Sequence, residues 1–281
     1  MQKIFITGAS SGIGQALAHE YAKRFQDSGC VIGLAARRSE HLQALAIALQ
    51  NQYHITCSIY PLDVRDSFAC KSAADDFIQR HGAPNIVIAN AGASRGTLTE
   101  YAEDIPAFQA LIDINVMGMV QTFQPFIQAM ISAAKPDIPV TSNVRLNSQN
   151  DAKTAQLVGI ASVAGIRGLP GAGAYSASKA AAINYLESLR IEMAAHHIAV
   201  TTIAPGYIRT PMTDVNQYKM PFLMDADVAA NKFVNAIKAK RRFVVIPWQM
   251  GFVARLMRFI PPFLWDLVMK NAPHKSRSLS D

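Results

Sequence analysis

Residues 8–14 read Gly8-Ala-Ser-Ser-Gly12-Ile-Gly14, set between an apolar run at 4–6 and an Ala- and Leu-bearing stretch that reaches Phe25. A short buried strand, a glycine turn and a helix start in immediate succession constrain the chain strongly, because a backbone free of Cβ atoms is needed to turn that tightly. The same unit leaves backbone N–H groups and the positive end of the helix dipole facing one point, which makes a cradle for an anion such as a pyrophosphate. The spacing Gly-x-x-x-Gly-x-Gly differs from the commoner Gly-x-Gly-x-x-Gly. Alone, such a cluster serves equally well as a tight turn that packs helix on strand. Its position at the first strand–helix junction favours a dinucleotide.

The rest of the chain repeats that alternation. Apolar strand-like runs stand at 4–6, 31–36, 55–60, 86–89, 157–161, 200–204 and 243–246, separated by helical stretches at 14–25, 40–50, 68–80, 108–134, 174–196 and 227–240. Strands alternating with helices predict an α/β fold, a Rossmann-type doubly wound parallel sheet in three α-β-α layers. Ligands then sit beyond the carboxyl ends of the strands. Residues 1–247 read as one oxidoreductase-sized domain, and 248–281 as a basic helical C-terminal extension. Residues 135–156 carry Pro136, Pro139, Asn143, Asn147 and Asn150 without a sustained period, which predicts a surface insertion.

Tyr175 and Lys179 stand four residues apart in Tyr175-Ser-Ala-Ser-Lys179, with Ser162 thirteen residues upstream. On a helix, i and i+4 share a face, so the Lys179 ammonium is expected near the Tyr175 phenol. A fixed positive charge lowers a phenol from its usual pKa near 10 and favours general acid/base work near neutrality. A Tyr-x-x-x-Lys string is common on protein surfaces and takes its meaning from the glycine cluster that precedes it.

Taken together these motifs resemble the short-chain dehydrogenase/reductase family in its shorter single-domain form, over about residues 2–247. Thr7-Gly8-x-x-x-Gly12-x-Gly14 matches the cofactor loop, Asn90-Ala91-Gly92 the motif after the fourth strand, and Asn115 the helix asparagine. Ser162 matches the catalytic serine, Tyr175 and Lys179 the tyrosine–lysine pair, and Pro205-Gly206, with Ile208 and Thr210 following, the segment beside the nicotinamide. The resemblance implies hydride transfer between a nicotinamide and a carbonyl or alcohol carbon. Tyr175 would be the proton donor, Ser162 a hydrogen-bond donor to the substrate oxygen, and Lys179 the modulator of Tyr175 that also holds the nicotinamide ribose. The backbone carbonyl of Asn115 would hold a water on the path to Lys179. Ser10, Ser11 and Ile13 join the glycines in the cofactor loop, and Asp63-Val64 is expected at the adenine, with an N-cap role for Asp63 as the alternative. The second strand ends Ala35-Ala36-Arg37-Arg38, lacking the carboxylate that NAD-preferring relatives carry at Ala36. NADP(H) is therefore expected over NAD(H), with Arg37 as principal clamp on the 2′-phosphate and Arg38 beside it.

The net charge is +7, and the tail from Lys238 to Asp281 holds nine Lys or Arg against two Asp, so residues 1–237 balance at 18 basic and 18 acidic. That distribution argues against a nucleic-acid surface on the main domain. Cys30, Cys57 and Cys70 have no metal-ligand spacing and read as reduced thiols of a cytoplasmic protein, and no His, Cys or carboxylate cluster suggests a metal. No signal peptide or spanning segment is indicated. After Pro205-Gly206, residues 207–224 are expected to fold over the substrate, with their methionines, Tyr218 and Phe222 either lining a pocket for a lipophilic small molecule or packing the lid's own small core. A homodimer or homotetramer is expected by resemblance. The stretches at 250–260 and 263–270 look like amphipathic helices, which dock as a C-terminal cap or contact a membrane surface. Two alternatives to a carbonyl reductase are a non-catalytic dinucleotide sensor and a lipid ketoreductase working at a membrane.

Overall fold

The computed structural model describes residues 1–134, 155–216, 218–270 and 277. Among these, seven strands form one all-parallel sheet: β1 (Gln2–Thr7), β2 (Cys30–Ala36), β3 (Thr56–Pro61), β4 (Ile86–Ala89), β5 (Gln156–Ile160), β6 (Ala199–Pro205) and β7 (Phe243–Ile246). Their order is β3-β2-β1-β4-β5-β6-β7. The chain winds outward from β1 to β3, then returns to lay β4 on the other side of β1. That reversal opens a crevice between the carboxyl ends of β1 and β4.

The connecting helices are α1 (Gly12–Phe25), α2 (Ser39–Tyr53), α3 (Ser67–His81), α4 (Ile105–Ile112), α5 (Gly118–Ala134), α6 (Gly173–Ala194), α7 (Pro211–Asp214) and α8 (Ala226–Lys238). Alternation along each strand sends neighbouring side chains to opposite faces. Ile4 and Ile6 join the layer of α1, α2 and α8, while Phe5 between them joins α3, α5 and α6. Strand β2 is buried along its whole length, as a central parallel strand covered on both faces must be. On the second face Phe5, Tyr60, Phe77 and Phe126 pack ring to ring, with centroids 4.8–6.5 Å apart.

The single helix expected over 108–134 is divided. Between α4 and α5 lies a π-helical turn, Asp113–Met117, in which the Gly118 N–H reaches back five residues to the Asp113 carbonyl. Helix α3 starts where the Asp66 carboxylate accepts the Ala69 N–H (3.0 Å), so Asp66, and not Asp63, is its N-cap. Most of the insertion expected at 135–156 lies outside the described residues. Its last two positions, Ala155 and Gln156, are buried, and Gln156 opens β5.

After β7 come α9 (Trp248–Phe259) and α10 (Pro262–Met269). Pro261 and Pro262 separate them, since a residue ahead of proline is driven out of the helical region, as the extended Ile260 (ψ 123°) is. Among the described residues no helix is long and apolar enough to cross a membrane. The three cysteines are free, and burial pushes the Cys30 and Cys57 thiols up to about 12 and Cys70 to about 11.

Two phenylalanines of α3 test this packing. Phe77 is fully buried and Phe68 is 78 % exposed. Phe77→Ala should cost about 3–5 kcal/mol in urea unfolding, and Phe68→Ala should stay within about 0.5 kcal/mol of wild type.

Candidate active site

The site is built on the β1–β4 crevice. Thr7 Oγ1, at the end of β1, donates to the Ile88 carbonyl (3.4 Å) and accepts the Asn90 (3.2 Å) and Ala91 (3.3 Å) N–H groups. Asn90 Nδ2 returns hydrogen bonds to the Thr7 (3.0 Å) and Gly8 (3.2 Å) carbonyls. The turn and the Asn90-Ala91-Gly92 segment are thus laced together. Gly8 has φ +67°, and a Cβ there would lie 2.8 Å from Ala91 Cα. A Cβ on Gly14 would come within 2.2 Å of the Gly8 carbonyl oxygen. Side chains are excluded from both positions, which lets the turn pack tightly on the Asn90-Ala91-Gly92 segment at the N-terminus of α1, the kind of helix end that suits an anion.

The Arg38 guanidinium bridges this loop, donating to Ser10 Oγ (3.1 Å) and Ser11 Oγ (2.8 Å). Arg37 is exposed and is not hydrogen-bonded to the loop's serines; its charge is one of the smaller influences on Asp63. Asp63 itself is held below the usual carboxylate range chiefly by the Arg65 side chain, which donates to it at 2.6–3.1 Å. Val64 is buried, with Gly118 of α5 packed close against its side chain.

Ser162 follows β5 and caps a single 3₁₀ turn, its Oγ accepting the Ala164 N–H at 3.1 Å. Its hydroxyl also hydrogen-bonds the Tyr175 phenol, which lies in the first turn of α6. Lys179, one turn further, is only 5 % exposed and donates from Nζ to the Ile160 carbonyl (3.0 Å). Helical spacing therefore does bring the two side chains together, with Nζ 6.0 Å from the Tyr175 ring centroid. The electrostatics differ from the expectation. Burial raises the Tyr175 pKa, and the opposing influence comes from the Ser162 hydroxyl rather than from Lys179, whose proton is directed at the end of β5. Tyr207, beyond Pro205-Gly206, adds to the upward shift.

Asn115 occupies the π-helical turn, fully buried. Its Oδ1 accepts the Ala93 N–H (2.9 Å), and its Nδ2 donates to the Ala93 carbonyl (3.0 Å) and to Ser178 Oγ (2.9 Å). Ser178 in turn donates to the Tyr175 carbonyl (2.9 Å). A continuous chain of hydrogen bonds thus runs from the segment after β4 to the backbone of Tyr175. Ser178 and Thr97, which accepts the Ala174 N–H (3.2 Å) at the start of α6, were not singled out from the sequence. The one available signal was a serine sandwiched between Tyr175 and Lys179, a position from which it bonds back to the preceding turn.

On the other side, Gly206 N–H bonds the Ile246 carbonyl (2.8 Å), and Met250 of α9 presses on the space a Gly206 Cβ would take. Ile208 is buried and bridges to Met224, while Thr210 caps α7 and contacts Gly12. Tyr207 and Tyr218 meet edge to face with centroids 6.3 Å apart. Met224 packs on the hydrophobic core and Phe222 is about half exposed.

The wall after Ser162 is fastened to the extension. Arg167 Nη1 donates to the carbonyls of Met257 (3.1 Å) and Ile260 (2.9 Å), and its guanidinium lies 4.8 Å over the Trp265 ring. Trp265 Nε1 donates to the Gly168 carbonyl (3.2 Å). Arg277 pairs with the buried Asp104 (2.9 Å) and with Glu103 (3.3 Å), stacks 3.8 Å over Tyr101, and its carbonyl accepts from Arg95.

Desolvation lowers Lys179 from 10.5 to about 8. Below pH 8 the ammonium is charged both folded and unfolded, and the fold bears the full burial cost. Between about 8 and 10.5 the unfolded chain binds the extra proton, so this residue makes stability rise with pH. The difference in urea midpoint between wild type and Lys179→Met should therefore move in favour of wild type from pH 8 to pH 10. Parallel pH dependences would show that the lysine is solvated.

The model of the short chain dehydrogenase family matches residues 2–220. An uncharacterised oxidoreductase of Myxococcus xanthus is 32 % identical over 261 residues, covering 93 % of each chain. The 11-beta-hydroxysteroid dehydrogenase 1A of Arabidopsis thaliana is 31 % identical over 261 residues, 87 % of this chain and 68 % of that one. A short-chain dehydrogenase/reductase from Burkholderia phymatum in complex with NAD superposes with a TM-score of 0.75 at 20 % identity, over 99 % of this chain and 98 % of that one. A short-chain dehydrogenase from Sphingobium yanoikuyae in complex with NADPH does so with 0.72 at 22 %, over 93 % and 97 %. With the glycine cradle, the seven-stranded parallel sheet and the Ser162–Tyr175–Lys179 cluster in place, the chain belongs to the short-chain dehydrogenase/reductase family of oxidoreductases.

Proposed function

We propose that the protein is an NADPH-dependent reductase of lipophilic carbonyl compounds, able to run in reverse on the alcohol. The observation that carries this reading is the Ser162 hydroxyl on the Tyr175 phenol, with a buried Lys179 one helical turn away, at the end of β5 and beside Gly92.

The residues present suit a dinucleotide. Gly8 and Gly14 let the turn pack directly on Ala91 and on itself, which no side chain at either position would allow, and α1 starts from that turn. No carboxylate stands at Ala36, and Arg38 already lies across Ser10 and Ser11, where a 2′-phosphate would find a bidentate partner. Arg38 thereby takes the leading role first expected of Arg37. Asp63 and Val64 flank the adenine end, Asn90, Ala91 and Gly92 the middle, and Pro205, Gly206, Ile208 and Thr210 the nicotinamide end. When bound, the cofactor supplies hydride to the substrate carbon.

Everything else falls to the protein. Ser162 Oγ donates a hydrogen bond to the substrate oxygen and fixes its position, strengthening as negative charge gathers there. Tyr175 Oη delivers the proton to that oxygen and recovers it in the reverse direction. Lys179, which donates to the Ile160 carbonyl, would hold the cofactor ribose and lend positive charge to the same corner. Asn115 acts as a positioning residue, holding Tyr175 through Ser178. A hydroxysteroid dehydrogenase among the relatives supports a lipophilic alcohol or ketone as substrate class.

NADPH consumption over a panel of lipophilic ketones and aldehydes tests the reading. Tyr175→Phe should lower turnover by roughly 10²- to 10⁴-fold while NADPH fluorescence on binding is kept. Undiminished turnover in that variant would end the assignment. Arg38→Ala should raise the KM for NADPH by about tenfold or more and leave NADH unaffected. Equal effects on both cofactors would remove the case for NADPH.

A further inference from the structure

Helices α9 and α10 each have two sides with different fates. The inner side of α9 seats Met250 and Ala254, and that of α10 seats Trp265 against Gly168 and Arg167. The outer side of α9 carries Trp248, Phe252, Leu256 and Phe259, which fall within an 80° stripe at 100° per residue. Phe263 and Leu267 continue it on α10. These six are all exposed, Trp248 by 76 % and Phe259 by 81 %. Arg255 and Arg258 border the stripe on α9, Lys270 follows α10, and Arg241 and Arg242 stand exposed just before β7. The whole net charge of the protein, +7, resides in residues 238–281.

An apolar stripe of this size, rimmed by cations, is expensive in water and needs a cover. A second copy of the same face would bring Arg255, Arg258 and Lys270 against their like in an isologous contact, and like charges would oppose it. An anionic lipid surface meets both demands, since the aromatic and aliphatic side chains enter the acyl boundary while the arginines rest among phosphates. We propose that the outward face of α9 and α10 docks the protein on anionic membranes, lying in the interface without crossing it. The docked surface is joined by Arg167 and Trp265 to the segment that follows Ser162, so the site wall would lie beside the lipid. This goes beyond the reductase assignment and stands or falls separately from it.

The chain has two tryptophans, Trp248 on the stripe and Trp265 on the inner side. In full-length Trp265→Phe, emission therefore reports Trp248 alone. With vesicles of phosphatidylcholine and phosphatidylglycerol, the emission should shift to the blue and be quenched by brominated acyl chains, and the protein should co-sediment. Arg255→Gln with Arg258→Gln should weaken partition to these vesicles by about tenfold or more, and high salt should do likewise. Phe252→Asp with Phe259→Asp should lose the blue shift and at least tenfold in partition, with NADPH binding kept as proof of folding. Should that apolar pair prove misfolded, the exposed arginine pair and the bromolipid quenching still decide. Failure of the wild type to bind anionic vesicles, or binding without quenching of Trp248, overturns the proposal. So does a wild-type oligomer that ignores vesicles and dissociates in the Phe252→Asp/Phe259→Asp variant, which would make the face a subunit contact.

Discussion

The structure turns on one close approach. The loop leaving β1 and the loop leaving β4 touch at Gly8 and Ala91, and Thr7 and Asn90 stitch them with hydrogen bonds in both directions. In a doubly wound sheet, the two strands at the reversal point send their connections to opposite faces, which leaves a gap at their carboxyl ends. Here glycine lets the two loops come into contact, and Asn90 keeps them from splaying. The start of α1 is fixed by it, and through Thr210 on Gly12 so is the segment after β6.

A second theme is the arrangement of polar groups under cover. Asn115, Ser178 and Lys179 are all buried, and each finds a partner: Ala93, the Tyr175 carbonyl and the Ile160 carbonyl respectively. The Asn115–Ser178 connection explains the π-helical turn, because a regular helix from α4 to α5 would rotate the amide away from Ala93. Lys179 donates to a carbonyl, and burial holds its pKa below the ordinary lysine value.

The architecture was legible because its signals are local. Seven apolar runs and the glycine turn place each strand within a residue or two, and strand–helix alternation leaves one sensible topology. That Ser162, Tyr175 and Lys179 come together was legible too, through spacing and family resemblance. What escaped was decided by geometry that no spacing encodes. Whether Arg37 or Arg38 turns to the loop depends on the twist leaving β2. Whether Lys179 faces the phenol or the end of β5 depends on a tertiary carbonyl. The division of the 108–134 helix depends on a contact 22 residues away in sequence, between Asn115 and Ala93. The lid methionines shared a composition with a pocket lining, yet Met224 went to the core, since burial there was available and composition cannot tell two apolar destinations apart.

Arg277 adds a matter of timing. Its guanidinium lies on Tyr101 and satisfies Asp104, a carboxylate with 4 % exposure, and its carbonyl receives Arg95. Residues 95–104 leave the ribosome long before residue 277 is made. During synthesis Asp104 must wait with the Leu98 N–H and the nearby charge of Arg95, and the loop beside the crevice stays unclasped. The sheet can assemble strand by strand as it emerges, whereas this flank of the site is sealed by a residue made 173 positions after Asp104, so a nascent chain would have its floor well before it has its wall.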